Sequence, residues 1–88
     1  MQSESKISLV ARLKIAEGHL KKVREMVEND SYCIDTLHQS QAVEAALREI
    51  DSLILKNHLN TCVVDAIKKG RSNEVIEEVM AVFKRNQK

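Results

Sequence analysis

Apolar residues recur along this chain at helical spacing. Leu9, Leu13, Ala16, Leu20, Val23 and Val27 step by four, three, four, three and four. That pattern predicts a first helix with a heptad stripe suited to a helix–helix seam. The helix starts near Ser5, with Ser3 or Ser5 as candidate caps. The polar cluster Asn29-Asp30-Ser31 ends it and can cap the next helix. A second predicted helix runs from about Tyr32 to Ile67. Its residues Leu47, Ile50 and Ile54 form a stripe that His58 and Cys62 continue. Helices of this length pack lengthwise on partners. Ala42, Ala45 and Ala46, near its middle, are small enough for close helix approach. Lys68-Lys69 complement the negative end of the helix, and Gly70 can stop it. A third predicted helix covers about Ser72 to Arg85, with Val75, Ile76, Val79, Val82 and Phe83 on its apolar face. No repeat, linker or low-complexity segment divides this pattern, so one domain spanning residues 1–88 is expected.

Composition narrows the fold to all-α. The chain has no Pro or Trp, two Gly, one Tyr and one Phe. Strands favour aromatic and β-branched residues, and the aromatics are almost absent here. A small core with almost no aromatics is marginal alone, so a homo-oligomer is expected. A net charge of +1 excludes a globally basic protein but leaves room for a local basic face. The apolar runs are too short to span a bilayer, and no signal-peptide pattern opens the chain. Cytoplasmic residence is the expectation, and with it reduced thiols.

Cys33, His58 and Cys62 are the candidate chemistry. They are the two cysteines of the chain and one of its three histidines. Two soft thiolates with one imidazole suit a soft metal ion. His58 and Cys62 stand at i and i+4, hence on one helix face. Cys33 lies twenty-five residues earlier, so on one continuous helix it sits roughly 37 Å from His58. One chain in that form cannot close the site. An antiparallel second copy can, with a two-fold axis near Ala46 and two identical sites. The plainer reading treats each cysteine as a small buried hydrophobe and the histidine as its neighbour. His19 and His38 have no Cys or second His at helical ligand spacing and read as solvent-facing or local hydrogen-bonders. No nucleophile, base and orienting group stand together, so an enzyme is not expected, nor is a small-molecule substrate.

The sequence also resembles the copper-sensing operon repressor (CsoR) family. The resemblance rests on Arg12-Leu13-Lys14, Ala16-Glu17-Gly18-His19, Met26-Val27-Glu28 and Tyr32-Cys33-Ile34-Asp35 with Leu37. It continues through Gln39, Ala42-Val43, Ala45-Ala46-Leu47 and Asn57-His58-Leu59 followed by Cys62. It extends from about Leu9 to Met80. It implies a three-helix protomer with a long central helix, an antiparallel dimer and a tetramer built as a dimer of dimers. It also implies operator DNA as partner and an inducer that releases the DNA.

Within the family, Cys33, His58 and Cys62 match the Cys-His-Cys ligands of the copper(I) sensors, which makes copper(I) the expected inducer and efflux or resistance genes the expected targets. Nickel and cobalt sensors carry His at the last position, here Cys62. Persulfide sensors lack the histidine. Formaldehyde sensors share an N-terminal Pro, absent here. The resemblance assigns Tyr32 and Glu78 as partners behind the ligands, and Arg12, Lys14, Lys21 and Arg48 as DNA contacts. Read without it, Tyr32 is a half-buried core residue, Glu78 an outer-face charge and the basic residues solvated positions. His19 departs from the usual Gln, and Glu44 from a common Arg. The competing readings are a thiol or persulfide sensor of the same family and a copper-storage or chaperone bundle without DNA function.

Overall fold

The computed structural model describes residues 1–85, and every regular element among them is helical: α1 (Ser3–Glu28), α2 (Cys33–His58), a π-helical turn (Leu59–Val63), α3 (Val64–Lys68) and α4 (Ser72–Arg85). The expected all-α class is what is found. The second predicted helix is present as α2, the π turn and α3 in unbroken succession. It ends at Lys68, and the π turn inside it was not anticipated. Arrangement in space divides the described residues into two units, one of residues 1–55 and one that begins at Lys56.

In the first unit α1 and α2 pack as an antiparallel hairpin. Leu9 and Ala16 of α1 cluster with Ile50 of α2, and Leu53 packs against them. The inward stripe differs from the predicted one. Leu9, Ala16 and Val23 are buried, but Leu13, Leu20 and Val27 are exposed. The intervening positions are completed by Ser5, His19 and Met26, which are half-buried. These residues also follow the heptad spacing, on the other side of Leu9, Ala16 and Val23. In α2 the matching stripe is Thr36, Gln39, Val43, Ala46, Ile50 and Leu53, with Val43 and Ile50 buried and the others half-buried. Leu47 and Ile54 lie outside it and are exposed.

The helix ends also depart from expectation. Neither Ser3 nor Ser5 caps α1. Gln2 occupies the N-cap without a side-chain bond, and its carbonyl accepts from the Lys6 amide at 2.9 Å. The Asn29-Asp30-Ser31 cluster does end α1, through its backbone. Asp30 has a left-handed φ of 53°. Its amide bonds to the Val27 carbonyl at 3.2 Å, and the Ser31 amide reaches Met26 at 2.9 Å. Those two bonds define a Schellman motif. The start of α2 is marked by Tyr32, whose carbonyl accepts from the Thr36 amide at 3.1 Å and the Thr36 hydroxyl at 3.2 Å. No Ser31 side-chain cap forms among the described residues.

In the second unit Gly70 stops α3, as predicted, and does so through a second Schellman motif. Gly70 has φ 78°. Its amide reaches Ile67 at 3.1 Å, and the Arg71 amide reaches Ala66 at 2.8 Å. An added Cβ at Gly70 meets nothing within 4 Å, so the demand for glycine is conformational. Ala66 is buried. On α4, Val75 and Val79 are half-buried, while Ile76, Met80 and Phe83 form an exposed apolar stripe at i, i+4 and i+7. No helix among the described residues is long and apolar enough to cross a membrane.

Candidate metal centre

Cys33 is the first residue of α2 and His58 its last; Cys62 lies in the π turn. Both cysteines are exposed free thiols. Among the described residues no three His, Cys, Asp or Glu side chains converge as a metal site.

The second unit builds a defined environment for His58. Its Nε2 lies 2.7 Å from Oε1 of Glu78 on α4, twenty residues away. A carboxylate only accepts, so Nε2 is the donor and the neutral ring keeps its lone pair on Nδ1. An imidazole that donates one N–H to a carboxylate is held in tautomer and orientation for the other nitrogen to act as a ligand. The side chain of His58 remains about one-third exposed, at 34%.

Cys62 follows this histidine by four residues, inside the π turn. Thr61 donates its hydroxyl to the Asn57 carbonyl at 2.7 Å, four residues back, and the same oxygen lies 3.6 Å from Cys62 Sγ. Side-chain bonds of this kind to the i−4 carbonyl accompany helix distortion, and π turns frequently occur at functional positions. Asn57 is buried, and its Oδ1 has no hydrogen-bond partner among the described residues. Sequence reasoning named Asn57 only within the family motif and gave neither it nor Thr61 a role. A Thr four residues after Asn is compatible with such a bond, but nothing in the residue types announces the π turn.

The other assigned residues belong to the first unit. Tyr32, expected from its residue type to be half-buried, is exposed. Arg12, Lys14, Lys21 and Arg48 are all exposed, and none takes part in an ion pair among the described residues. The cations that do are Arg24 with Glu28 and Lys69 with Asp65. Helical geometry separates the α1 set. Lys14 and Lys21 are seven residues apart and share a line, whereas Arg12 lies on the opposite side of the helix. His38 is exposed, as expected. His19 is half-buried, and its Nε2 meets Oε1 of Gln39 on α2 at 2.7 Å.

Comparison with known proteins gives this arrangement a context. The sequence matches the family described as metal-sensitive transcriptional repressor over residues 5–85. The chain belongs to that family. It is 42% identical over 83 residues to the copper-sensing transcriptional repressor CsoR of Bacillus subtilis, covering 94% of this chain and 82% of the relative. It is 37% identical over 82 residues to the protein of the same name from Mycobacterium ulcerans, covering 93% and 70%. The structure superimposes on the crystal structure of the copper-sensing repressor CsoR with Cu(I) from Geobacillus thermodenitrificans with a TM-score of 0.91. The two are 39% identical, and the match covers 97% of this chain and 88% of that one. The metal-sensitive repressor family therefore accounts for the fold, including its helix order, over nearly the whole chain.

Proposed function

We propose that this protein is a copper(I)-responsive transcriptional repressor whose copper-free form binds operator DNA and whose copper-bound form releases it, turning on copper efflux or resistance genes. The observation that carries the reading is the His58–Glu78 hydrogen bond. It orients the ring as metal-ligating histidines are oriented, one turn from a free thiol, in a chain related to copper-sensing repressors.

The donor set fits the ion. Cys33, His58 and Cys62 offer two sulfurs and one nitrogen, and two thiolates more than neutralise a monovalent cation. Copper(I), when bound, supplies a soft centre that accepts three such ligands, whereas structural zinc takes four. Cys33 comes from one subunit of an antiparallel dimer and His58 with Cys62 from the other. Ala42, Ala45 and Ala46 lie near the two-fold, and the dimers pair into a tetramer. The outward stripes Leu13, Leu20 and Val27, Leu47 and Ile54, and Ile76, Met80 and Phe83 supply apolar surface for this assembly.

The chain's own residues then do three things. Glu78 holds the His58 ring and ties the ligand to α4. Tyr32, beside Cys33, supplies a hydroxyl at the other end of the site. Arg12, Lys14, Lys21 and Arg48 neutralise DNA phosphates from the exposed faces of α1 and α2. A change in ring position reaches α4 through Glu78, and the reshaped oligomer presents its basic residues less favourably. By linkage, DNA weakens copper binding by the same factor that copper weakens DNA binding. The reading treats residues 1–88 as one sensing and DNA-binding domain of a cytoplasmic protein and assigns it no catalytic step.

Strictly anaerobic chelator competition tests the site. The reduced protein should take up one copper(I) per protomer, and non-reducing gels run in parallel should show no Cys33–Cys62 link between subunits. Copper uptake that is weak and non-stoichiometric, with regulation only when a crosslinked dimer appears, would make this a thiol sensor instead.

A further inference from the structure

The seam of the α1–α2 hairpin carries polar residues at Ser5 and Thr36, near its ends, and at the His19–Gln39 pair within it; its remaining half-buried and buried positions named above are apolar. Leu9, Ala16 and Ile50 form its buried cluster, with Leu53 packed against them. One turn beyond Ala16, the next seam position of α1 is His19, and the facing seam position of α2 is Gln39. Both are half-buried. Their 2.7 Å contact is the one side-chain hydrogen bond between α1 and α2 among the described residues.

A polar pair in such a place has a particular consequence. Apolar packing is non-directional, and helices that slide by one turn exchange one set of aliphatic contacts for another. A hydrogen bond tolerates no such exchange. Out of register, the imidazole N–H and the amide oxygen would each be half-buried without a partner. Polar residues within an otherwise apolar heptad seam specify register in this way, at some expense in stability.

The pair also joins two functional regions. On α1, His19 shares a helix side with Arg12, seven residues before it, and lies two residues before Lys21. On α2, Gln39 lies six residues after Cys33. We propose that His19 is a positioning residue for DNA binding: its hydrogen bond to Gln39 pins the register of α1 against α2. A shift of the Cys33 end of α2 is thereby passed to the basic residues of α1. This rests on the copper-responsive DNA-binding reading above.

The test compares the full-length parent, His19→Gln and the double variant His19→Leu with Gln39→Leu. An amide at position 19 can donate to Gln39, whereas two leucines fill the seam but set no register. Three readouts are taken on each copper-free protein: the melting temperature, the backbone resonances of α1, and affinity with its salt slope for a labelled duplex selected by the parent from genomic fragments. The double variant should melt no lower than the parent and show doubled or broadened α1 resonances. Its DNA affinity should fall about three- to tenfold, the size of one net hydrogen bond, with an unchanged salt slope. His19→Gln should match the parent within about twofold, since it keeps that bond.

A double variant with one sharp set of resonances and parental affinity overturns the proposal. So does a loss of affinity accompanied by a salt slope smaller by about one, which would make position 19 a phosphate contact. A lowered melting temperature that tracks the lost affinity would reduce the pair to ordinary stability and overturn the positioning role. A parent that binds no DNA defeats the positioning role together with the functional reading, while the resonances still decide the register pin.

Discussion

The hairpin of residues 1–55 and the segment from Lys56 onward use the same local devices to different ends. Each contains a helix closed by a Schellman motif, but the first places Asp30 in the left-handed position and the second places Gly70 there. The hairpin buries a regular seam of Leu9, Ala16, Val43 and Ile50. The C-terminal unit buries little beyond Ala66 and the polar Asn57. Its helix is distorted at Leu59–Val63, and its defining contact is an exposed hydrogen bond, His58 to Glu78. Regular packing holds the hairpin, which carries the basic residues. The irregular, weakly buried unit holds His58 and Cys62, the proposed ligand pair, and Glu78, the proposed lever. A region with few buried apolar contacts opens and shifts at low free-energy expense, which suits a segment meant to respond.

The largest effect should come from breaking the seam. Ile50 is 3% exposed, so Ile50→Ala should cost about 2–5 kcal/mol, the range for emptying a packed aliphatic site. Urea denaturation followed by circular dichroism at fixed protein concentration measures it. A cost below about 1 kcal/mol would mean that the hairpin is not the stable half of the comparison.

The thiols sharpen the comparison because they come from different units. Cys33→Ser and Cys62→Ser should each lower copper(I) affinity at least about a hundredfold, since each removes a soft ligand, and should leave helicity unchanged. Chelator competition reads the loss. A large effect from one cysteine alone would break the idea of a shared site.

Glu78→Gln addresses the lever. The amide can still meet the histidine but no longer fixes its tautomer as a carboxylate does. Removing such an outer partner typically costs ten- to a hundredfold. The loss should appear as a weaker copper effect on DNA, about tenfold, with DNA binding of the copper-free protein little changed. Equal loss in both states would assign Glu78 to stability.

The two Schellman ends give the smallest effect. Gly70→Ala should cost about 1 kcal/mol, because alanine pays for the left-handed conformation and gains no contact. Asp30→Gly should be stabilising by less than about 1 kcal/mol, since glycine removes that strain but adds unfolded-state freedom. Thermal melts of both variants check the pair of signs.

Much of this molecule is legible from residue pattern, with informative exceptions. The three helical stretches follow from apolar spacing and from Gly70. Which stripe packs within the chain was not legible, because two stripes flank Leu9, Ala16 and Val23 at equal heptad spacing. One contains Leu13, Leu20 and Val27; the other contains Ser5, His19 and Met26. Hydrophobicity favours the first, yet the hairpin takes the second and leaves the greasier stripe outside. Pattern alone cannot tell which stripe packs within a chain. The π turn depends on backbone hydrogen bonding that residue types do not encode. The His58–Glu78 pair spans twenty residues and was reachable only through family resemblance. The cysteines and His58, by contrast, stood out by scarcity and ligand chemistry.

The central claim, that copper(I) coordination governs DNA binding, is tested most directly by titrating copper(I) anaerobically into the complex of the reduced protein with a fluorescent promoter duplex. The account predicts release that saturates near one copper(I) per protomer, with DNA affinity lowered at least about tenfold, within the usual range of coupling between sites. No covalent link should form between subunits. A complex that ignores saturating copper(I), and dissociates only when oxidised sulfur joins Cys33 to Cys62, would contradict it.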